Sequence, residues 1–308
     1  MEKSKRVGII LAGGTGSRLF PLTTSVSKQL LPIYDKPMIY YPLSILMLAE
    51  IRDILIITNL CDKNNFERLL GDGSKWGINL NYEVQNKPNG LAEAFIIGEK
   101  FIANKPTTLI LGDNLFHGTE LISQLRAAKK REKGATVFAY PVSDPENYGV
   151  VSFDSNGRAT NIEEKPKKPD SRYAITGLYF YDSSIVEKAK KVEISNRGEL
   201  EISSINQMYL NEGELDVEVL GRGTAWLDTG THESLHEAGS FIRTIEKRQG
   251  LKVGSPEEIA WRLGWIDDNK LKKLSKGFIT SGYGKYLKQI LKESSSNNDF
   301  LNQNLSSN

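Results

Sequence analysis

The sequence predicts an α/β fold: a Rossmann-like, mostly parallel sheet flanked by helices, followed by a part bearing β-hairpins and by a C-terminal helical extension. Three observations carry this. Short apolar runs alternate with helical segments from Val7 to Tyr140, the pattern of βαβ units. The first run opens into a glycine-rich loop, Leu11-Ala-Gly-Gly-Thr-Gly-Ser-Arg-Leu19, at the place where open α/β sheets put ligands. Beyond Pro141 the helical periods give way to strands with turn signals.

The elements follow in order. Val7-Gly-Ile-Ile-Leu11 reads as a buried strand. A helical segment over 38–49, started by Pro37, leads into the strand Asp53-Ile-Leu-Ile-Ile-Thr58. A short helix around 66–70, a strand near 80–85, a helix over 91–102 and the strand Thr107-Thr-Leu-Ile-Leu-Gly112 continue the alternation, as do a helix over 121–131 and a strand over 136–140. The second part reads as a hairpin, Gly149–Phe153 and Thr160–Glu163 around Asp154-Ser-Asn-Gly157, with further strands at 173–181 and 217–220. Ser255-Pro-Glu-Glu258 starts a helix, with Ser255 as N-cap and a glutamate able to close a capping box. Helix is expected to about 292, and the polar tail 293–308 is expected to be disordered. No internal repeat is present.

A chain of 308 residues with 39% hydrophobic composition can bury a large core. Its apolar stretches, such as Ile54–Ile57, are strand-sized, far short of the roughly 20 residues a membrane span needs. Met1–Arg6 lacks the apolar region of a signal peptide, so a cytoplasmic location and no membrane partner are expected. The single cysteine, Cys61, excludes an internal disulfide and fits a reducing compartment. A formal net charge of +2 provides no global basic field for nucleic acid. Any anion must be held locally.

Spacing tests the glycine loop. A dinucleotide fingerprint from Gly14 fails at Leu19, and no Gly-Lys-Ser/Thr follows for a Walker loop. What remains is either a bare glycine turn or a loop whose backbone N–H groups approach an anion, with Arg18 and Lys28 as added cations. Asp113, after an apolar strand, could hold Mg²⁺ at the carboxyl edge of the sheet or cap the next segment. Gln85 offers a donor and an acceptor that complement a pyrimidine imide. Lys165, within Glu163-Glu-Lys-Pro-Lys-Lys-Pro169, reads by composition as part of a solvated loop. His232 and His236 have a zinc-compatible spacing, but with no Glu or Cys arranged around them a surface or core role is favoured.

The loop, with Ser27-Lys-Gln-Leu-Leu-Pro32, resembles the signature of the sugar-nucleotide pyrophosphorylases, or nucleotidylyltransferases. Further segments are similar to the glucose-1-phosphate thymidylyltransferase branch: Asp35-Lys-Pro-Met-Ile-Tyr-Tyr-Pro42, Gly112-Asp-Asn114, Glu163-Glu-Lys-Pro166, Arg197-Gly-Glu-Leu-Glu201 and Trp226-Leu-Asp-Thr-Gly-Thr231. The resemblance runs in order from Val7 to about Lys292.

It implies an enzyme that joins dTTP and glucose 1-phosphate into dTDP-glucose with release of pyrophosphate, the entry step of dTDP-L-rhamnose biosynthesis. A UTP-using uridylyltransferase is the alternative within the class. Arg18, Lys28 and Lys165 are implied as the catalytic cations. Leu11, Gly13, Gly14, Thr15, Gly16, Gln29, Gln85, Pro88, Gly90 and Asp113 are implied for the nucleotide. Asn114, Gly149, Glu164, Ile175, Tyr179 and Trp226 are implied for the sugar, with Trp226 either on the sugar or closing the core. Asp113 and Asp228 would hold Mg²⁺. The implied domains are a catalytic unit over 1–250, its nucleotide part about 1–140 and its sugar part about 141–250, and an extension over 251–292 serving oligomerisation or regulation. A homotetramer and a dTDP-sugar feedback inhibitor are implied too, with His117 departing from the usual aromatic near the effector site. A nicotinamide oxidoreductase is disfavoured because the fingerprint fails and the strand ending Thr58-Asn59 lacks the ribose-binding acid. A non-catalytic regulator would be free to lose Arg18, Lys165 or an aspartate, and all are present.

Overall fold

The structure, a computed structural model, describes residues 5–296. The chain begins with β1 (Val7–Ala12), passes two short 3-10 turns at Ser17–Leu19 and Lys28–Leu30, and forms a small hairpin, β2 (Pro32–Ile33) and β3 (Lys36–Pro37). There follow α1 (Tyr40–Leu48), β4 (Asp53–Thr58), α2 (Lys63–Leu70), β5 (Asn79–Val84), α3 (Glu93–Ile97), α4 (Glu99–Ile102), β6 (Thr107–Leu111), β7 (Asn114–His117), α5 (Leu121–Lys130) and β8 (Ala135–Pro141). The second part holds β9 (Gly149–Phe153), β10 (Ala159–Glu164), β11 (Tyr173–Tyr181), α6 (Ile185–Ala189), α7 (Ile202–Asn211), β12 (Leu215–Val219) and β13 (Ala225–Asp228). Four helices finish the chain: α8 (His232–Gln249), α9 (Pro256–Arg262), α10 (Asp268–Gly277) and α11 (Gly282–Ser296).

The main sheet runs β10-β9-β11-β6-β1-β4-β5, with β8 between β11 and β12. Strands β6, β1, β4 and β5 are parallel, as the βαβ pattern requires. β11 joins them antiparallel, pairing Leu178 with Ile110, and so couples the parallel half to the hairpin β9–β10. Its pairing with β8 shifts register between Ile175 and Tyr179, which turns the Gly177 N–H toward Asn114.

Side-chain alternation along β1 explains the two cores. Ile10 and Ala12 face a cluster with α1, α2, α5 and the C-terminal helices, whereas Val7, Ile9 and Leu11 face a cluster with α3, α6 and α7. Helix α1 is buried on nearly every side because it lies between the sheet and α9, which accounts for its lack of a polar face.

Local expectations are corrected in three places. The single helix expected over 91–102 is broken at Gly98, whose backbone leaves the helical region and lies close to Ile9 and Leu55 of the sheet. Ser255 precedes α9 but forms no capping box: its hydroxyl meets Tyr283 Oη at 2.8 Å, and Glu258 is held by Tyr286 and Arg262. The last helix extends to Ser296, past the expected end at 292; the rest of the tail lies outside the described residues. No helix among the described residues is long and apolar enough to cross a membrane.

Candidate active site

Two cavities open at the carboxyl ends of the parallel strands and share Leu91 and Leu111 as their common wall. The first lies beyond β1, β5 and β6. It is lined by Leu11, Gly14, Gln29, Gln85, Pro88, Gly90 and Asp113, all expected for a nucleotide, together with Lys28, expected as a catalytic cation, and Glu199. Gly13, Thr15, Gly16 and Arg18 stand outside this lining. Gly16 adopts φ +64°, which lets the loop reverse beside Thr23 and bring Lys28 inward. Gln29 is buried; its Oε1 accepts from Ser27 and its carbonyl accepts from the Ile39 N–H, so it fixes the loop that carries Lys28.

The second cavity is lined by all six residues expected for the sugar, Asn114, Gly149, Glu164, Ile175, Tyr179 and Trp226, and also by Lys165 and Asp228. Asn114 Oδ1 accepts from Trp226 Nε1 at 2.6 Å and from the Gly177 N–H at 3.1 Å, tying β7, β13 and β11 together. Trp226 also packs against Tyr148 and Tyr140, so it closes the core and walls the cavity at once. Glu164 is held by Arg197 at 3.2 Å; burial, and then the charge of Glu201, push its carboxyl above the usual range. Asn147, Tyr148, Gly177, Ile202, Ser203 and Asn206 also belong to this lining and were not singled out from sequence. Gly177 lies within β11; the others come from a loop and from α7, whose residues resemble any solvated surface until the fold turns them inward.

The cavities meet at two carboxylates. Antiparallel pairing of β7 with β13 sets Asp228 opposite Asn114 and brings it beside Asp113. Asp113 is buried, which alone would raise it, yet the ammonium of Lys28 on its Oδ2 holds it below the ordinary carboxylate range. Asp228 has the opposite balance: burial, and then the charge of Asp113, push it up against the pull of Lys28, Arg18 and Lys165. Arg18 reaches the same place from outside, its guanidinium lying over Gly230 next to Asp228. Lys165 stands at φ +45°, a strained conformation for a side-chain-bearing residue, and its N–H donates to the Tyr148 carbonyl at 3.0 Å. The composition of its loop gave no sign of this.

Gln85 differs in detail from its expectation. Its Nε2 donates to Glu93 Oε2 at 2.8 Å and to the Gly90 carbonyl at 3.3 Å, so its donor is already engaged. Its Oε1 lies over Gly13, where a Cβ would come within 2.5 Å of it. His232 and His236 sit exposed at the start of α8, and no group of three or more metal-ligating side chains occurs among the described residues. Two adjacent carboxylates still suit a hard divalent cation that takes its other oxygens from substrate phosphates. The mutual repulsion read from Asp228 is what such an ion would relieve.

A pair of carboxylates between two clefts, with three cations around it on an α/β sheet, is an arrangement suited to binding phosphates. The chain belongs to the nucleotidyl transferase family, whose model matches residues 7–245. A glucose-1-phosphate thymidylyltransferase of Neisseria meningitidis serogroup A is 59% identical over 93% of this chain and 99% of its own length. One from Mycolicibacterium smegmatis is 59% identical over 92% and 98%. A Bacillus anthracis structure assigned as glucose-1-phosphate thymidylyltransferase, with sucrose bound, superposes with TM-score 0.72 at 41% identity, covering 77% of this chain and 95% of that one. A UDP-glucose pyrophosphorylase with UDP-glucose shares the fold, with TM-score 0.67 at 24% identity over 79% and 99%.

Proposed function

We propose that the protein transfers the thymidylyl group of dTTP to α-D-glucose 1-phosphate, giving dTDP-glucose and pyrophosphate. The observation that carries this reading is the meeting of the two cavities at Asp113 and Asp228, together with the high identity to glucose-1-phosphate thymidylyltransferases over nearly the whole chain. The uridylyl alternative has only a distant likeness, which bears on fold alone.

dTTP lies in the first cavity with its base at Gln85 and Gly90. Gln85 Oε1 accepts the imide N–H, and Gly90, at φ +119°, gives the base a backbone edge. The sugar lies in the second cavity, where Glu164 accepts from neighbouring hydroxyls and Tyr179 stays a protonated phenol because burial, and then Glu164, oppose its ionisation. The attacking oxygen belongs to the sugar phosphate, a monoester whose second pKa is near 6, so no general base is required. It forms a bond to the α-phosphorus in line as the bond to the β-phosphate oxygen breaks, and pyrophosphate leaves with the electron pair. Lys165 orients the sugar phosphate and α-phosphate, and Arg18 and Lys28 attract the charge that gathers on the departing phosphates. Mg²⁺, held by Asp113 and Asp228, would neutralise phosphate oxygens at the junction.

The reading extends to a first step of dTDP-L-rhamnose biosynthesis, a cytoplasmic homotetramer and feedback by a dTDP-sugar. In this reading the effector would sit in a separate cavity between α1, His117 and α9, lined by Tyr41, Lys252, Glu258 and Arg262. The test is pyrophosphate release from purified protein with glucose 1-phosphate and Mg²⁺, comparing dTTP, UTP, ATP, GTP and CTP. Preference for dTTP is expected; preference for UTP would change the product, and no release with any nucleotide would overturn the assignment.

A further inference from the structure

The direction in which Gln85 presents its amide is decided outside the nucleotide cavity. Gln85 follows β5 and is almost fully buried, with its N–H donating to the Thr58 carbonyl. Its side-chain nitrogen faces two acceptors, Glu93 Oε2 and the Gly90 carbonyl, while its oxygen lies over Gly13 of the glycine loop and the residue itself lines the cavity. Turning the amide over would set an oxygen against both acceptors at hydrogen-bond distance, which leaves two facing lone-pair contacts and no donor between them. Glu93 is itself fixed: it opens α3, and its other oxygen accepts from Asn89 Nδ2 at 2.8 Å.

We infer that Glu93 is a specificity-determining positioning residue, which locks Gln85 with its oxygen toward the base and thereby selects pyrimidines carrying an imide N–H over cytosine. Thymine and uracil donate from N3, whereas cytosine presents an acceptor there and meets oxygen with lone pair. Glu93 touches no substrate; it acts through Gln85. The inference rests on the reading of the first cavity as the base site, and it concerns discrimination between imide and amidine edges, which a methyl-sensing pocket cannot provide.

The test measures equilibrium binding, which does not depend on turnover. The dissociation constants of dTTP and dCTP are measured by calorimetry for the full chain, for Glu93→Leu, which removes the acceptor, and for Glu93→Lys, which replaces it by a donor. The unaltered chain should prefer dTTP by about 100-fold or more, because a mismatched buried acceptor is left unpaired with dCTP. Glu93→Leu should narrow that ratio by about tenfold and Glu93→Lys by more, as Gln85 is freed and then drawn to turn over. In a Gln85→Met background the change at Glu93 should no longer move the ratio, which separates action through Gln85 from a general loss of structure. A ratio unchanged in both Glu93 variants, or no preference in the unaltered chain, would overturn the inference. Clear discrimination in binding without any pyrophosphate release would overturn the proposed activity and leave this inference standing, whereas failure to bind either nucleotide would overturn both.

Discussion

Lys28→Met removes the ammonium that Asp113 faces while keeping most of the apolar stem. The side chains of the pair are 13% and 11% exposed, so the carboxylate left behind is buried and has Asp228 as its neighbour. Breaking one partner of a buried pair costs about 3–5 kcal/mol. At the usual unfolding entropy per residue, that is roughly a 5–8 °C fall in Tm for a chain of this length. The sign of the pH dependence follows. Asp228 already lies above its unfolded value, and without the ammonium burial should push Asp113 up as well, so the folded variant is expected to bind more protons than its unfolded chain. Stability therefore falls as pH rises through the carboxyl range, and the deficit should be larger near pH 8 than near pH 5. A divalent cation should restore more of the Tm in the variant than in the unaltered protein. Circular-dichroism melts at the two pH values, with and without Mg²⁺, read all of this. A variant melting within a degree of the unaltered protein under every condition would refute the idea that Lys28 compensates a strained carboxylate pair.

Asp113→Asn should lower kcat by about 100-fold or more while the melting curve keeps its cooperativity; near-normal turnover would remove the metal assignment. Trp226→Phe deletes the 2.6 Å hydrogen bond to Asn114 Oδ1 and should cost about 1 kcal/mol in urea unfolding. It should also raise KM for glucose 1-phosphate more than KM for dTTP, and equal effects on both would argue against its place in the sugar cavity. His117 is held below its ordinary pKa of 6.5 by burial, so the folded state binds fewer protons and its contribution to stability is lost on acidification. His117→Phe should flatten the Tm profile between about pH 5 and 7; an unchanged profile would place the acid sensitivity elsewhere.

Much of the fold was legible because β1, β4 and β6 are buried on both faces, which leaves uninterrupted apolar runs whose carboxyl ends mark the site. Asp113 and the glycine loop lie at those ends and so could be found, whereas Asp228, at the end of β13, was reached only through the resemblance. Other features depend on contacts that no local pattern encodes. The break at Gly98 answers to the closeness of Ile9 and Leu55, and the lost capping box answers to Tyr283 and Tyr286 arriving from α11. Lys165 looked like one charge in a charged loop, because a strained backbone angle leaves no trace in composition. Gln85 was read as an amide with both groups free, since its pairing with Glu93 joins a strand end to a helix start across a proline-containing loop. The second cavity gathers the residues expected for a sugar, but Asn147, Ser203 and Asn206 became visible only when α7 and the loop before β9 were seen to close over β11.

Direct attack between two adjoining cavities, with no covalent enzyme intermediate, is most directly tested by isotope exchange. Labelled pyrophosphate is incubated with dTTP, Mg²⁺ and the protein, with and without glucose 1-phosphate, and label entering dTTP is measured. Exchange only when glucose 1-phosphate is present is expected, since in the proposed reaction the attacking oxygen belongs to the sugar phosphate and the carboxylates of Asp113 and Asp228 serve the metal. Exchange at a comparable rate without the sugar phosphate would contradict it and require a nucleotidylated side chain.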